Sequence, residues 1–287
     1  MQHRPRKPKS FLQRWVLGDF SLKRIGRSAL IIYACVCLYA FFFADSRIFL
    51  PPPSSYSDSA EILKLTTTDG VKLSALYLPN PAAQQTILYS HGNASDLGDH
   101  RPNLIALQKA GFSVFAYDYR GYGTSEGKPS ESGSYRDIDA AYAYLTQTLR
   151  IPPQQIIAHG QSLGGAITID LASRQPVGGL VLESTFMSAF RVLLPFPFLP
   201  FEKFHSMGKL SKVNCPVLVI HGTQDPTIPF WHGEKLYAIA PLPKRFLWVE
   251  GADHENLVEV AGDRYFQAIQ AFAETISYSK SHDKIKL

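Results

Sequence analysis

Ile156-Ile157-Ala158-His159-Gly160-Gln161-Ser162-Leu163-Gly164-Gly165-Ala166 decides how this chain is read. An apolar run with the pattern of a strand ends in a glycine-flanked serine and gives way to a helical pattern. A sharp strand-to-helix turn that holds a serine in a strained backbone conformation tolerates only small residues two positions before it and two after. Gly160 and Gly164 stand in those places. A helix that starts at the turn also aims its free N–H groups, that of Leu163 among them, at the point where negative charge develops in acyl transfer. The turn reads as a nucleophile elbow with Ser162 as the nucleophile, and because glycine and serine also crowd ordinary turns, partners elsewhere must support it.

At 287 residues the chain is long enough for one large α/β domain with a well-buried core. Its formal charge of +5 is unevenly spread: residues 1–28 carry eight basic side chains against the single acid Asp19, so the remainder is slightly acidic. That argues against nucleic-acid binding by the folded body. Residues 29–44 contain no charge, and as a helix they would span about 24 Å, somewhat less than a hydrocarbon core of roughly 30 Å. Snorkelling by Arg27 and Arg47 makes up the difference. The expectation is an uncleaved transmembrane anchor in contact with membrane lipid, its basic arm cytoplasmic and the catalytic body on the opposite side. The alternative is a signal peptide whose cleavage releases a secreted protein. Cys35, Cys37 and Cys215 give no disulfide framework and read as packing residues.

Residues 45–57, with Pro51-Pro52-Pro53, read as a stiff spacer, and the folded domain is expected over 58–277, followed by a polar tail at 278–287. Two strands, 61–65 and 71–78, are joined by Thr68-Asp69-Gly70, which is hairpin chemistry. Further strands are expected at 86–90, 112–117, 156–160, 179–182, 216–220 and 245–249, with helices at 97–109, 134–149, from the elbow to about Arg174, and at 256–277. The alternation predicts an α/β sheet, parallel apart from its opening hairpin. Residues 185–212 break the rhythm with a Phe/Pro-rich insertion, read as a packed loop or as a cap that lines an acyl or aromatic pocket.

A serine hydroxyl needs a histidine base, and the histidine needs a carboxylate that fixes its tautomer. In an open parallel sheet these groups meet from loops at the carboxyl ends of strands. Two later strands end suitably, in His221-Gly222-Thr223-Gln224-Asp225-Pro226 and in Glu250-Gly251-Ala252-Asp253-His254. Asp225 is the preferred acid and His254 the base. Glu183, at the end of the 179–182 strand, is the rival acid, and Asp253 is expected to cap the following helix. His91, His159 and His221 sit in strand-end motifs and read as structural. No metal-ligand spacing or phosphate loop is seen, so no cofactor is implied.

The order Ser162, Asp225, His254 is that of α/β-hydrolases. Together with Ser90-His91-Gly92-Asn93-Ala94, Tyr117-Asp118-Tyr119-Arg120-Gly121-Tyr122-Gly123 and Ile228-Pro229, it resembles the α/β-hydrolase-domain-containing serine hydrolases over about residues 58–277. That branch includes protein depalmitoylases and is often described as serine aminopeptidase-like. The resemblance implies an α/β-hydrolase fold and a serine hydrolase that works through an acyl-enzyme; with the apolar N-terminal segment and the apolar insertion beside it, the expectation is a membrane-anchored enzyme that cleaves an ester or thioester of a hydrophobic acyl group. The oxyanion hole is expected from the N–H groups of Leu163 and Asn93, with Ala94 the neighbouring alternative. The branch carries a cysteine-rich, lipidated N-terminus where this chain has a basic arm and an apolar segment. A peptidase or aminopeptidase of the same fold, and a non-catalytic binding protein built on it, are the other readings.

Overall fold

A computed structural model of the protein describes residues 22–283, with side chains as far as Ile276. Contacts divide the chain at Ala44/Asp45 into two units. Most of the basic arm expected at 1–28, and residues 284–287 of the expected tail, lie outside the described residues.

The first unit is dominated by helix α1, Leu22–Ile48, whose 27 residues run beyond the uncharged stretch at both ends. At 1.5 Å per residue it measures about 40 Å, more than a hydrocarbon core needs. Leu30, Ile32, Leu38, Phe41 and Phe42 are all more than half exposed. Among the described residues it is the one helix long and apolar enough to cross a membrane, a judgement of length and composition.

The second unit is built on an eight-stranded sheet. Its strands are β1 (Ile62–Thr66), β2 (Lys72–Leu78), β3 (Thr86–Ser90), β4 (Ser113–Tyr117), β5 (Ile156–Gln161), β6 (Gly179–Glu183), β7 (Val217–Gly222) and β8 (Lys244–Val249). Their spatial order is β1-β2-β4-β3-β5-β6-β7-β8. β1 pairs antiparallel with β2, and β2 antiparallel with β4; every later pairing is parallel. The expected mostly parallel sheet with an antiparallel opening hairpin is therefore present.

Between the strands lie α2 (Leu97–Lys109), α3 (Glu131–Ala143), α4 (Leu163–Arg174), α5 (Ala189–Leu193), α6 (Ser206–Leu210) and α7 (Trp231–Ile239), and after β8 come α8 (Leu257–Ala261) and α9 (Asp263–Asp283). Strand side chains alternate between two cores because successive residues point to opposite faces. Leu88, Ala158 and Val219 face α3 and α4 through Ile138 and Ile167, whereas Ile87, Ile157 and Leu218 face α2 and α9 through Leu104, Ile269 and Phe272. Burial on both faces is why the central strands read as continuous apolar runs. The chain moves from β3 outward to β4, then jumps back across β3 to begin β5. That reversal makes the carboxyl ends of β3 and β5 the switch point where open α/β sheets form their crevice. The elbow and the His91–Asp96 loop both stand there.

Three expectations change. Residues 45–57 are laid against the body instead of forming a free spacer, and Phe49 is only 3% exposed. Full burial of an aromatic side chain such as Phe49 contributes about 1.5–3 kcal/mol towards offsetting the entropy of ordering this stretch. The helix expected at 256–277 is split at Gly262, whose φ of +56° leaves the helical region, and α9 then continues to Asp283 through residues assigned to the polar tail. Helix α7 occupies a stretch for which the sequence suggested no element. In the Phe/Pro-rich insertion, Phe186, Met187 and Phe204 are buried, while Leu193, Phe196 and Phe198 between them are exposed.

Candidate active site

Ser162 is the junction between β5 and α4, with φ +51° and ψ −114°. For a residue with a Cβ this region is strained by about 1–3 kcal/mol, and surrounding contacts must hold it. They do: the Ser162 N–H donates to the Glu183 carbonyl at 2.8 Å, and the Ser162 carbonyl accepts from the Thr185 hydroxyl at 2.6 Å and from the Gly165 N–H at 3.1 Å. The flanking glycines are required by close approach. A Cβ on Gly160 would collide with the Gly164 carbonyl, and one on Gly164 with the Ser90 carbonyl of β3, which is backbone and cannot swing aside.

His254 lies in the loop after β8. Its Nε2 is 3.1 Å from Ser162 Oγ, and its Nδ1 is 2.7 Å from Asp225 Oδ2. Asp225, in the turn after β7, is fixed by the N–H groups of Thr227 and Ile228, which donate to its Oδ1 at 2.9 and 2.7 Å. The carboxylate thus has one oxygen committed to the backbone and the other to the imidazole. Ser162, Asp225 and His254 are each under 10% exposed. Burial pulls the His254 pKa down, but the hydrogen bond and charge of Asp225 outweigh it and the net direction is upward. With Nδ1–H donated to Asp225, the Nε2 lone pair faces the serine hydroxyl, which is the arrangement a general base needs.

Leu163 opens α4 next to the serine. Gly92 passes it on the other side, since a Cβ built there would lie 3.7 Å from Ser162 Cβ. Asn93 follows, and Ala94 has φ +57°. The Asn93 side chain is engaged elsewhere, by Ile48, Leu50 and Tyr122, so only its backbone N–H is left for an oxyanion.

Glu183, the rival acid, does not contact His254. It accepts from His159 Nε2 at 2.8 Å and from the Tyr265 hydroxyl at 2.7 Å, in a fully buried cluster under the elbow. Burial pushes its carboxyl up, yet the His159 and Tyr265 hydrogen bonds bring the net shift below the usual value. His91 stands 3.3 Å from Asp118 and His221 Nε2 2.9 Å from the Ile228 carbonyl, both inside the fold. Asp253 accepts from the N–H groups of Glu255 and Asn256, but the residue that caps α8 is Asn256. Asp253, expected to cap that helix, instead closes the turn three residues before the cap.

Sequence reasoning missed Thr185 and the His159–Glu183–Tyr265 cluster, and it assigned no role to Tyr122, although that tyrosine stood in a quoted motif. Arg120 of the same motif is nearly buried and pairs with Asp137 at 2.8 Å and Asp69 at 2.9 Å, which pins the motif as a structural joint. No group of His, Cys, Asp and Glu with the geometry of a metal site occurs among the described residues.

The sequence model of a family described as serine aminopeptidase, S33, matches residues 81–204. The alpha/beta hydrolase domain-containing protein 17C of Homo sapiens is 40% identical over 225 residues, which cover 77% of this chain and 67% of that protein. Protein 17B of Xenopus tropicalis is 40% identical over 223 residues, covering 76% and 77%. Among solved structures, the esterase Pf2001 of Pyrococcus furiosus superposes with a TM-score of 0.66 at 22% identity, over 79% of this chain and 99% of that one. DcsB, in complex with its substrate analogue, gives 0.62 at 16% identity, over 76% and 99%. The likeness to the solved structures establishes the α/β-hydrolase fold.

Proposed function

The chain belongs to the α/β-hydrolase family of serine hydrolases, and on that footing we propose that it cleaves an ester or thioester through an acyl-enzyme formed on Ser162. The observation that carries the reading is the linear arrangement Ser162 Oγ, His254, Asp225, with separations of 3.1 and 2.7 Å. In the first half-reaction His254 Nε2 removes the hydroxyl proton as Oγ attacks the acyl carbon, and Asp225 stabilises the imidazolium. The oxyanion is met by the Leu163 and Asn93 N–H groups. Collapse of the tetrahedral adduct breaks the bond to the leaving oxygen or sulfur, which takes the proton from His254. Water, deprotonated by His254, then releases the acid and restores Ser162.

A hydrophobic acyl group is the favoured substrate, supported by the apolar insertion at 185–212, whose middle offers exposed Leu193, Phe196 and Phe198. Helix α1 serves as the membrane anchor in this reading, and the excess of basic residues before it supports a cytoplasmic N-terminus. The serine aminopeptidase description of the matching family model favours a second reading, in which an amide is the scissile bond.

A fluorophosphonate probe tests the assignment: it should label the protein once, and Ser162→Ala should abolish the label. Labelling that persists in that variant sinks the proposal. Turnover of p-nitrophenyl esters of increasing acyl length, set against amino-acid amides, separates the two readings of the substrate.

A further inference from the structure

The loop that carries Asn93 is held from outside the sheet, by the last residue of α1 and those that follow it. The Asn93 side chain donates from Nδ2 to the Ile48 carbonyl at 2.5 Å, and its Oδ1 accepts from the Leu50 N–H at 3.0 Å and from the Tyr122 hydroxyl at 2.5 Å. The Leu50 N–H also reaches the Tyr122 hydroxyl at 3.1 Å. At the other end of the loop, Asp96 caps α2 and accepts from the Ser55 N–H at 2.7 Å as well as from the Ser55 hydroxyl. The Tyr56 hydroxyl donates to Asp118 Oδ2 at 2.5 Å, while Asp118 Oδ1 accepts from the Leu97 N–H at 2.9 Å. Between these clamps Phe49 packs edge-on against Tyr122 and Phe204. The loop needs such support because Ala94 is held at φ +57°, where a residue with a Cβ relaxes unless its neighbours prevent it.

We propose that residues 48–56 form a positioning strap for the oxyanion loop, with Phe49 and Tyr122 as positioning residues that act through the Asn93 side chain. The proposal rests on the reading of Ser162 as the nucleophile. By fixing the side chain of Asn93 from three directions, the strap fixes the direction of its backbone N–H, which the transition state alone requires. It follows that the segment leaving the apolar helix is part of the catalytic machinery, and that its disturbance is felt in kcat.

The test uses the full-length protein in detergent micelles, with Tyr122→Phe, Phe49→Ala and Phe49→Leu, assayed on p-nitrophenyl butyrate and by amide hydrogen exchange. In Tyr122→Phe and Phe49→Ala, kcat should fall about tenfold, less than the 10²- to 10³-fold of losing an oxyanion donor outright. KM should stay within about twofold, and exchange should accelerate at residues 92–97 but not in β7 or β8. Phe49→Leu, which restores an apolar plug, should recover most of kcat. Wild-type kcat with wild-type exchange at 92–97, a loss confined to KM, or faster exchange spread evenly over the sheet would each overturn the strap. Ser162→Ala separates the two ideas: turnover that survives in it defeats the nucleophile assignment, while exchange at 92–97 in Phe49→Ala still decides whether the strap holds the loop.

Discussion

Asp225→Asn is the sharpest perturbation of the site, because the wild-type geometry dictates how the new amide must sit. Oδ1 of Asp225 accepts two backbone N–H groups, from Thr227 at 2.9 Å and Ile228 at 2.7 Å, and only an oxygen can keep both. The asparagine carbonyl therefore takes that place, and its NH₂ faces His254 Nδ1, where a carboxylate oxygen stood at 2.7 Å. A donor now meets Nδ1, so the neutral imidazole carries its proton on Nε2 and has no lone pair for the serine hydroxyl. The wrong tautomer lowers kcat on the order of 10⁴-fold, about 5 kcal/mol of barrier. Asp225→Ala is the poorer choice, since it strands two N–H groups at about 1–3 kcal/mol each where they are cut off from water. The assay is kcat for p-nitrophenyl butyrate on protein whose melting temperature is unchanged, with the rate of fluorophosphonate labelling as a second measure. Activity within tenfold of wild type would refute the tautomer argument and return the acid's role to another carboxylate.

The upward shift of His254 from its ordinary 6.5 places the acid limb of kcat/KM above pH 6.5, since only the neutral imidazole can act as base; a limb below pH 6 in a pH–rate profile would contradict this. The sign for stability is opposite: a raised folded-state pKa contributes stability below pH 6.5 and loses it as pH rises through the shifted value, which urea unfolding at several pH values can follow. Glu183→Ala leaves His159 and Tyr265 without their shared buried acceptor and should cost about 1–3 kcal/mol for each stranded donor in denaturant unfolding, while labelling per folded molecule stays within tenfold, because Glu183 contacts Ser162 only through its main chain. Gly164→Ala drives a Cβ into the Ser90 carbonyl and should destabilise by about 1–3 kcal/mol and suppress labelling, read by thermal melting and by the probe. Extraction at alkaline pH should leave the protein in the membrane pellet with an intact mass that includes residues 1–46; a mass lacking them would identify α1 as a cleaved signal.

The elbow and the order of its partners were legible because their constraints are local. Two glycines, a strand pattern before them and a helix pattern after them are all within a dozen residues of Ser162, and Asp225 and His254 each end a short apolar run. What escaped depended on meetings across the chain. Nothing near Asn93 announces that its side chain is spoken for by Ile48 and Leu50, more than forty positions earlier. The proline-rich stretch at 51–53 has the composition of a spacer, and only the burial of Phe49 shows that its surroundings are packed. Glu183 read as a rival acid and His159 as a structural residue at a strand end; that the two pair, and that Tyr265 completes their cluster, follows from how α9 lies on the sheet. The break at Gly262 was hidden because the apolar periodicity runs through it and a single positive φ decides it.

Thr185 stands at the point where the sheet gives way to the Phe/Pro-rich insertion, and its hydroxyl is bonded to the carbonyl of Ser162. The same residue limits Gly165, whose Cβ would strike it. The insertion is thus hinged on an atom that also secures Ser162, while its exposed middle, Leu193 to Phe198, hangs clear of that hinge. Such an arrangement separates what must be inherited unchanged from what is free to drift. On the proposed reading, a laboratory library can rewrite the middle of the insertion and explore new acyl groups with Thr185 held constant, leaving the Ser162 turn undisturbed.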